Sequence, residues 1–210
     1  MTGESVFLNS NFVVPKDVFF KFIDTLRSEY RVFGPVKEEN QPVFREISSS
    51  ADLFMDYPTT MLSPGKLYIY KPKEDILKFT NESKINIEEV RQEIEKQVIV
   101  GIHPCDLHAV LYLDKIFLGD FLDPFYKMRR ENTLLIALNC IQVSENCFCS
   151  SVGTGPHLKV QSGYDIILTD FGDDYLVELK SAEAKRVFNV KGKEAGPDEW
   201  KLKSEKEETL

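Results

Sequence analysis

The chain has 210 residues, of which 42% are hydrophobic, and this length can bury the core of one domain or of one domain with an appendage. Its 34 acidic and 26 basic residues give a net charge of −8, which argues against general binding to nucleic acid or to an anionic membrane. The sequence contains neither a secretory leader nor an apolar run that approaches about 18 residues, so we expect a soluble, cytoplasmic protein without membrane insertion.

The first third of the chain predicts packing elements. The segment "FVVPKDVFFKFIDTL" predicts a short strand and then a helix that begins near Pro15 or Lys16 and ends before Gly34. Ser, Pro, Asn and Gly are frequent in residues 38–66, which predicts strands and loops around "VFREI". Further along, "KLYIYKP" predicts a strand closed by Pro72, and "NIEEVRQEIEKQ" predicts a helix with a polar face.

The middle of the chain predicts a parallel sheet. The short apolar runs "QVIVGI" and "TLLIALN" are typical of strands that are covered on both faces. Between them, "PCDLHAVLYLDKIFL" is apolar nearly all round and predicts a buried helix with Pro104 in its first turn. The unit is a Rossmann-like strand-helix-strand core, so Cys105 and Cys140 both follow carboxyl ends of strands, where open α/β sheets bind ligands.

The last third predicts a hairpin, a short helix and a charged tail. The hairpin is "YDIILTDFGDDYLVEL", which turns at "GDD", and the helix is "SAEAKRVFNV". We therefore predict a mixed α/β fold with a Rossmann-like core, additional strands and a C-terminal hairpin. Residues 1–190 would form one cluster-binding domain, and residues 191–210 a frayed, charged tail or linker.

The four cysteines are the strongest chemical signal. Cys147 and Cys149 are separated by one residue, which suits two ligands of the same bound group better than a disulfide between them. With Cys105 and Cys140 they supply four thiolates, the number that a 4Fe–4S cluster needs. Soft thiolates also select zinc, and a buried cysteine often serves as a small apolar residue. The start of a helix at Cys105 and the absence of a Cys-x2-Cys knuckle favour iron-sulfur over zinc.

Several motifs together resemble one protein family. They are "GIHPCDLHAV", "FLDPFYKMRRENTLLIALNC", "NCFCSSVGTGPH", "DYPTTMLSPGK" and the hairpin sequence. They look like the β subunit of sulfhydrogenases and soluble NiFe hydrogenases, and like the related A subunit of anaerobic sulfite reductase. The resemblance implies an electron-transfer subunit that carries iron-sulfur clusters, and it assigns one 4Fe–4S cluster to Cys105, Cys140, Cys147 and Cys149.

The resemblance also implies protein partners. The chain would relay electrons between a flavoprotein that handles NAD(P), or a ferredoxin-like module, and a catalytic hydrogenase or reductase subunit, and would not be catalytic alone. Family members usually continue into a ferredoxin-like dicluster domain, whereas this sequence has no cysteine after Cys149. We expect that module to be cut away or to be a separate polypeptide. The alternative function is a zinc-stabilised scaffold of a redox complex that passes no electrons.

Two further groups of residues are candidates for supporting roles. His103 and His108 flank Cys105 and are predicted to pack or hydrogen-bond, and one of them could donate to a cluster sulfur. The basic spot formed by Lys127, Arg129 and Arg130 is predicted either to make local ion pairs or to dock an acidic partner or a phosphate.

Overall fold

The computed structural model describes residues 11–60, 62–71, 73–81, 85–90 and 94–209. The strands are β1 (Asn11–Pro15), β2 (Arg31–Glu38), β3 (Gln41–Glu46), β4 (Leu77–Asn81), β5 (Ile85–Glu89), β6 (Gln97–Ile102), β7 (Thr133–Leu138), β8 (Ile166–Asp170), β9 (Asp174–Leu179) and β10 (Lys193–Glu194). The α-helices are α1 (Lys16–Leu26), α2 (Pro104–Phe117), α3 (Pro124–Glu131), α4 (Ala182–Val187) and α5 (Pro197–Thr209). A 3-10 turn covers Ser50–Asp52, and a π-helical turn covers Gly65–Ile69.

Eight strands form one mixed sheet in the order β10-β1-β9-β8-β7-β6-β2-β3, and β4 and β5 form a separate hairpin. The centre of the sheet is parallel, because β2 pairs with β6, β6 with β7 and β7 with β8 in the same direction. The outer pairs are antiparallel. The predicted mixed α/β class, with a parallel strand-helix-strand core from β6 through α2 to β7, is therefore confirmed.

Helices cover both faces of the parallel centre. All residues of β6 and β7 are buried, and alternate side chains of each strand enter different cores. Val98, Val100 and Ile136 pack with α1 on one face. Ile99 and Leu135 pack with α2 and α3 on the other. Burial on both faces explains why these strands are continuous apolar runs in the sequence.

The helix predicted for α1 is confirmed, because its Phe19, Phe22, Ile23 and Leu26 are buried on one side. The hairpin at "GDD" is confirmed as β8 and β9, and the short helix as α4. Helix α2 also forms, but it is not buried all round, since Tyr112 is 66% exposed and Ile116 is exposed on its outer face. The prediction of a fully buried helix, which was based on its apolar composition, is therefore wrong for its outer face.

Two predicted elements are wrong, and two helices, α3 and α5, were not foreseen. "KLYIY" lies in the π-helical turn rather than in a strand, and Pro72 lies outside the described residues. The sequence predicted to start a helix at Asn86 forms strand β5 instead, paired with β4. Helix α3 contains the basic spot and begins at an Asp123 cap whose carboxylate accepts from the amides of Phe125 and Tyr126. The short pairing of β4 with β5 and the local cap at Asp123 decide two of these segments, and neither produces a long periodic pattern.

The charged segment after Lys191 is ordered rather than frayed. Strand β10 pairs with the edge strand β1, and α5 follows it. Lys203 of α5 forms an ion pair with the buried Glu178 of β9, which ties the helix to the sheet. The tail therefore contributes to the structure beside the sheet, while the division of the chain into a domain and a linker stays a prediction.

Candidate functional site

The cysteines converge at the carboxyl edge of the parallel strands. Cys105 lies in the first turn of α2, directly after β6, and Cys140 lies two residues beyond β7. Because β6 and β7 are adjacent and parallel, both positions lie at the same edge of the sheet. The sequence predicted this placement from the strand-helix-strand pattern.

A bulge in β6 sets the direction in which the chain leaves the strand. The pairing of β6 with β7 shifts between Val100 and Ile102, and the intervening Gly101 has φ +77. That conformation favours glycine. The Tyr57 hydroxyl donates to the Gly101 carbonyl at 2.5 Å, so a residue more than forty positions away fixes the bulge. The bulge turns the chain toward His103 and the start of α2.

The other three cysteines lie on one loop, residues 139–158, which we call the cysteine loop. Asn139 closes it, because its side-chain oxygen accepts from the Leu158 amide at 2.9 Å and its nitrogen donates to the Thr169 hydroxyl at 3.0 Å. The Cys140 amide also donates to the Pro156 carbonyl at 3.2 Å. The two ends of the loop are therefore bound to each other and to β8.

Backbone amides point at two of the sulfurs. The Ser144 amide donates to Sγ of Cys147 at 3.2 Å. Burial raises the pKa of the Cys105 thiol, and the amides of Cys105 and Asp106 at the start of α2 partly oppose that rise, as expected near the positive end of a helix. Cys149 lies against Gly155, where an added Cβ would be 3.0 Å from the cysteine sulfur. Glycine therefore permits the close approach of the returning loop to Cys149.

The thiols lie close enough to repel one another when they ionise. Burial is the main cause that raises the pKa of Cys140 to about 12, and the charges of the other three cysteines add to the shift. Burial likewise raises the pKa of Cys105 to about 11, with Asp106 and Cys149 contributing. Without a cation these two thiols stay protonated at neutral pH. A cationic group that binds all four would reverse this balance, because it stabilises thiolates.

A cavity of about 310 Å³ opens between α2 and the cysteine loop. It is lined by Thr59, Cys105, Ser144, Asn146, Cys147, Phe148, Cys149 and Thr154. Phe148, between the two closely spaced cysteines, is 71% exposed, so the outer side of this cavity reaches the surface. Cys140 is partly buried. Within the described ranges, no three His, Cys, Asp or Glu side chains form a group that could hold a metal ion.

The histidines beside Cys105 differ in their surroundings. His103 is buried and its ring stacks on Tyr57 with centroids 4.0 Å apart. Burial lowers the pKa of His103 to about 4, so its ring is neutral at pH 7. His108 is partly buried, and burial lowers its pKa as well. In the described part of the chain, Nε2 of each histidine is buried without a hydrogen-bond partner, so a role as donor to the cluster stays a prediction for both.

Two of the three basic candidates, Arg129 and Arg130, are held by ion pairs and hydrogen bonds within the protein. Arg129 is buried, donates from Nε to the Ile69 carbonyl at 2.6 Å, and forms a two-point pair with Glu74. Arg130 pairs with Asp114 at 3.0 Å and donates to the Gly163 carbonyl. The prediction of a surface docking role is thus corrected for these two arginines, because their guanidinium groups brace α3. Lys127 is partly exposed, and docking through it stays a prediction.

Sequence reasoning missed three residues at the site. Tyr57 lies in the quoted segment "DYPTT", but no local pattern reveals that it reaches the end of β6. Asp106 follows Cys105, and burial raises its pKa. His157 lies at the end of the cysteine loop and is buried. Asp106 is next to Cys105 in the chain, whereas Tyr57 is brought to the end of β6 only by long-range packing.

We expect Asn139→Leu to destabilise the metal-free, reduced protein by about 1–3 kcal/mol, because the Leu158 amide and the Thr169 hydroxyl would lose their partner in a buried place. Urea denaturation measures the change. Asn146→Leu is the matched control, since Asn146 is exposed in the same loop. Equal stabilities of the two variants would contradict the closing role of Asn139.

No family model and no solved structure matches the chain. The described helices include none that is long and apolar enough to cross a membrane. The chain is similar to sulfhydrogenase 2 subunit beta of Pyrococcus furiosus, with 35% identity over 178 residues that cover 85% of this chain. It spans about half of that relative, 48% of its length. The chain is thus related, over most of its own length, to the sulfhydrogenase β subunits that its motifs resemble.

Proposed function

We propose that the chain is an iron-sulfur electron-transfer subunit of a multi-subunit oxidoreductase of the hydrogenase or of the sulfur or sulfite reductase type. It would hold one 4Fe–4S cluster through Cys105, Cys140, Cys147 and Cys149. The observation that carries the proposal is the placement of the cysteines at one edge of the sheet, where Cys105 and Cys140 follow adjacent parallel strands and Cys147 and Cys149 line one cavity with Cys105. The relationship to a sulfhydrogenase β subunit supports it independently.

The donor set fits such a group. Cys105, Cys147 and Cys149 line one cavity, Cys140 is near enough for their charges to act on its thiol, and amides at the start of α2 and at Ser144 point at two of the sulfurs. A bound cluster supplies one-electron transfer, whose potential depends on hydrogen bonds to sulfur and on burial. The amides would stabilise the negative charge of the thiolates. The buried Tyr57 and His103 rings exclude water from the inner side, and neutral His103 adds no charge there.

The arrangement also has a route for electrons. Cys105 and Cys147 are exposed, while Cys140 and Cys149 are partly buried. A partner that covers Phe148 would come within short range of the site without entering the sheet. We propose that the partners are a flavoprotein that uses NAD(P), or a ferredoxin-like module, on one side and a catalytic subunit on the other. Free thiols of this kind are typical of a reducing compartment, which supports the cytoplasm as the location.

The first experiment is metal and sulfide analysis of protein purified without oxygen. We expect about four iron and four acid-labile sulfide per chain, with the broad visible absorbance of a cluster, because four thiolates satisfy its four irons. Stoichiometric zinc without labile sulfide would instead support the alternative, a zinc-stabilised scaffold of a redox complex. A protein that contains neither iron nor zinc after anaerobic reconstitution would contradict both functions.

A further inference from the structure

A second cavity, of about 300 Å³, lies at the same edge of the sheet but on the other side of Cys140. It is lined by Asn139, Cys140, Ile141, His157, Thr169, Asp170, Lys206 and Thr209. The first three residues follow β7, His157 lies at the end of the cysteine loop, Thr169 and Asp170 belong to β8, and the last two residues belong to α5. The carboxyl ends of two parallel strands thus form the floor of the cavity and α5 forms its wall, in the position where open α/β sheets bind small molecules.

His157 indicates that this cavity takes a polar ligand. The residue is 7% exposed, and neither of its ring nitrogens has a hydrogen-bond partner among the described residues. A buried imidazole without partners costs free energy, so such groups usually bind water or a ligand. The ring belongs to the residue that follows Pro156, whose carbonyl accepts from Cys140, so the cysteine loop fixes its backbone.

The remaining polar groups are mostly donors. The Thr169 hydroxyl accepts from Asn139 and therefore keeps its own proton for donation. Lys206 is partly buried, and the described residues place no carboxylate at ion-pair distance from it. The side-chain oxygen of Asn139 already accepts from the Leu158 amide, and its side-chain nitrogen already donates to the Thr169 hydroxyl. A ligand in this cavity would thus meet an ammonium group, a hydroxyl proton and an imidazole.

Among the described residues of the lining, Asp170 is the one carboxylate, and other groups neutralise it. One oxygen of Asp170 pairs with Lys16 at 2.6 Å, and the other accepts from the Gly172 amide at 2.7 Å. Among the described residues, the cavity therefore combines an ammonium group that has no ion-pair partner with a carboxylate that is neutralised, although the chain as a whole has a net charge of −8. This local reversal of sign favours an anionic ligand.

We propose that this cavity is a binding site for a small oxyanion, held by Lys206 of α5, the imidazole of His157 and the hydroxyl of Thr169. The site is separate from the cysteine cavity and needs no bound cluster. Helix α5 completes it, which gives the charged C-terminal segment a function in ligand binding.

The probe is sodium sulfate, titrated into the 210-residue chain at constant ionic strength set with sodium chloride. Isothermal titration calorimetry and the midpoint of thermal unfolding are both measured. We expect saturable binding by the wild type and an affinity at least about tenfold weaker in Lys206→Gln, because a charge-assisted hydrogen bond is lost. His157→Phe, which keeps the ring volume, should also weaken binding.

Lys201→Gln is the matched control, since it removes the same charge from an exposed position on the same helix. Sulfate also stabilises folded proteins in general, so the result depends on the difference between the two lysine variants. Equal binding by both lysine variants and the wild type, or a stabilisation that never saturates, would overturn the proposal. Binding is measured with and without iron, so a failure of the cluster assignment leaves the outcome of this test readable.

Discussion

Replacement of Cys147 or Cys149 with serine is expected to lower the iron content from about four per chain to well below one, because a hydroxyl oxygen is a harder and weaker ligand for iron-sulfur clusters than a thiolate. In the wild type the Ser144 amide donates to the Cys147 sulfur at 3.2 Å, and the Cys147 variant loses this acceptor. Part of the binding energy of the group also stabilises the fold. We therefore expect faster amide hydrogen exchange in the cysteine loop of both variants, with little change in β6 and β7.

Ser150→Ala is the control for these variants. It removes the hydroxyl next to Cys149, and among the described residues the hydrogen bond that Ser150 makes comes from its carbonyl, which accepts from the Gly153 amide. It should keep the iron content and the visible spectrum of the wild type. If Cys147→Ser, Cys149→Ser and the corresponding variants of Cys105 and Cys140 all kept that spectrum, the assigned ligand set would be wrong.

Arg129→Met is expected to reduce the free energy of unfolding by about 3–5 kcal/mol, which is the usual cost of removing one partner of a buried ion pair. Its side chain is 4% exposed, and its removal would leave Glu74 without this cation and the Ile69 carbonyl without its donor. For a chain of this size the loss corresponds to a fall in the unfolding midpoint of about 6–20 °C. Thermal and urea denaturation of the reduced, metal-free protein measure it.

Lys127→Met provides the comparison on the same helix. Its ammonium lies 3.8 Å from Glu131 in an exposed pair, so the change should cost less than about 1 kcal/mol. If Arg129→Met were as stable as Lys127→Met, the guanidinium would not brace α3 and the π-helical turn. The Arg129 guanidinium would then be available for docking a partner.

The sequence alone determines the parallel centre of the fold. The runs "QVIVGI" and "TLLIALN" are apolar at every position because both faces of β6 and β7 are buried, and the helix between them starts at a proline. The order of these elements also places Cys105 and Cys140 at one edge. Strong local signals that agree with the tertiary structure are the ones that can be read from a sequence.

The sequence is a poor guide where long-range contacts override local pattern. "KLYIY" alternates like a strand, yet it forms the π-helical turn because Arg129 and α2 pack against it. Charge in the last twenty residues indicates disorder, yet β10 pairs with β1 and Lys203 pairs with Glu178. The basic pattern of α3 indicates a surface for partners, but burial of Arg129 and the Asp114 contact of Arg130 turn it inward.

At the site, the sequence is enough to identify the candidate ligands, whereas the groups that surround them are decided by the tertiary structure. The count and spacing of the cysteines in the sequence are enough to indicate a cluster of soft ligands. The closure by Asn139, the bulge held by Tyr57 and the cavity between His157 and Lys206 all join residues that are far apart in the chain. Only the packed structure decides which distant polar groups meet, because local propensity contains no information about contacts between remote segments.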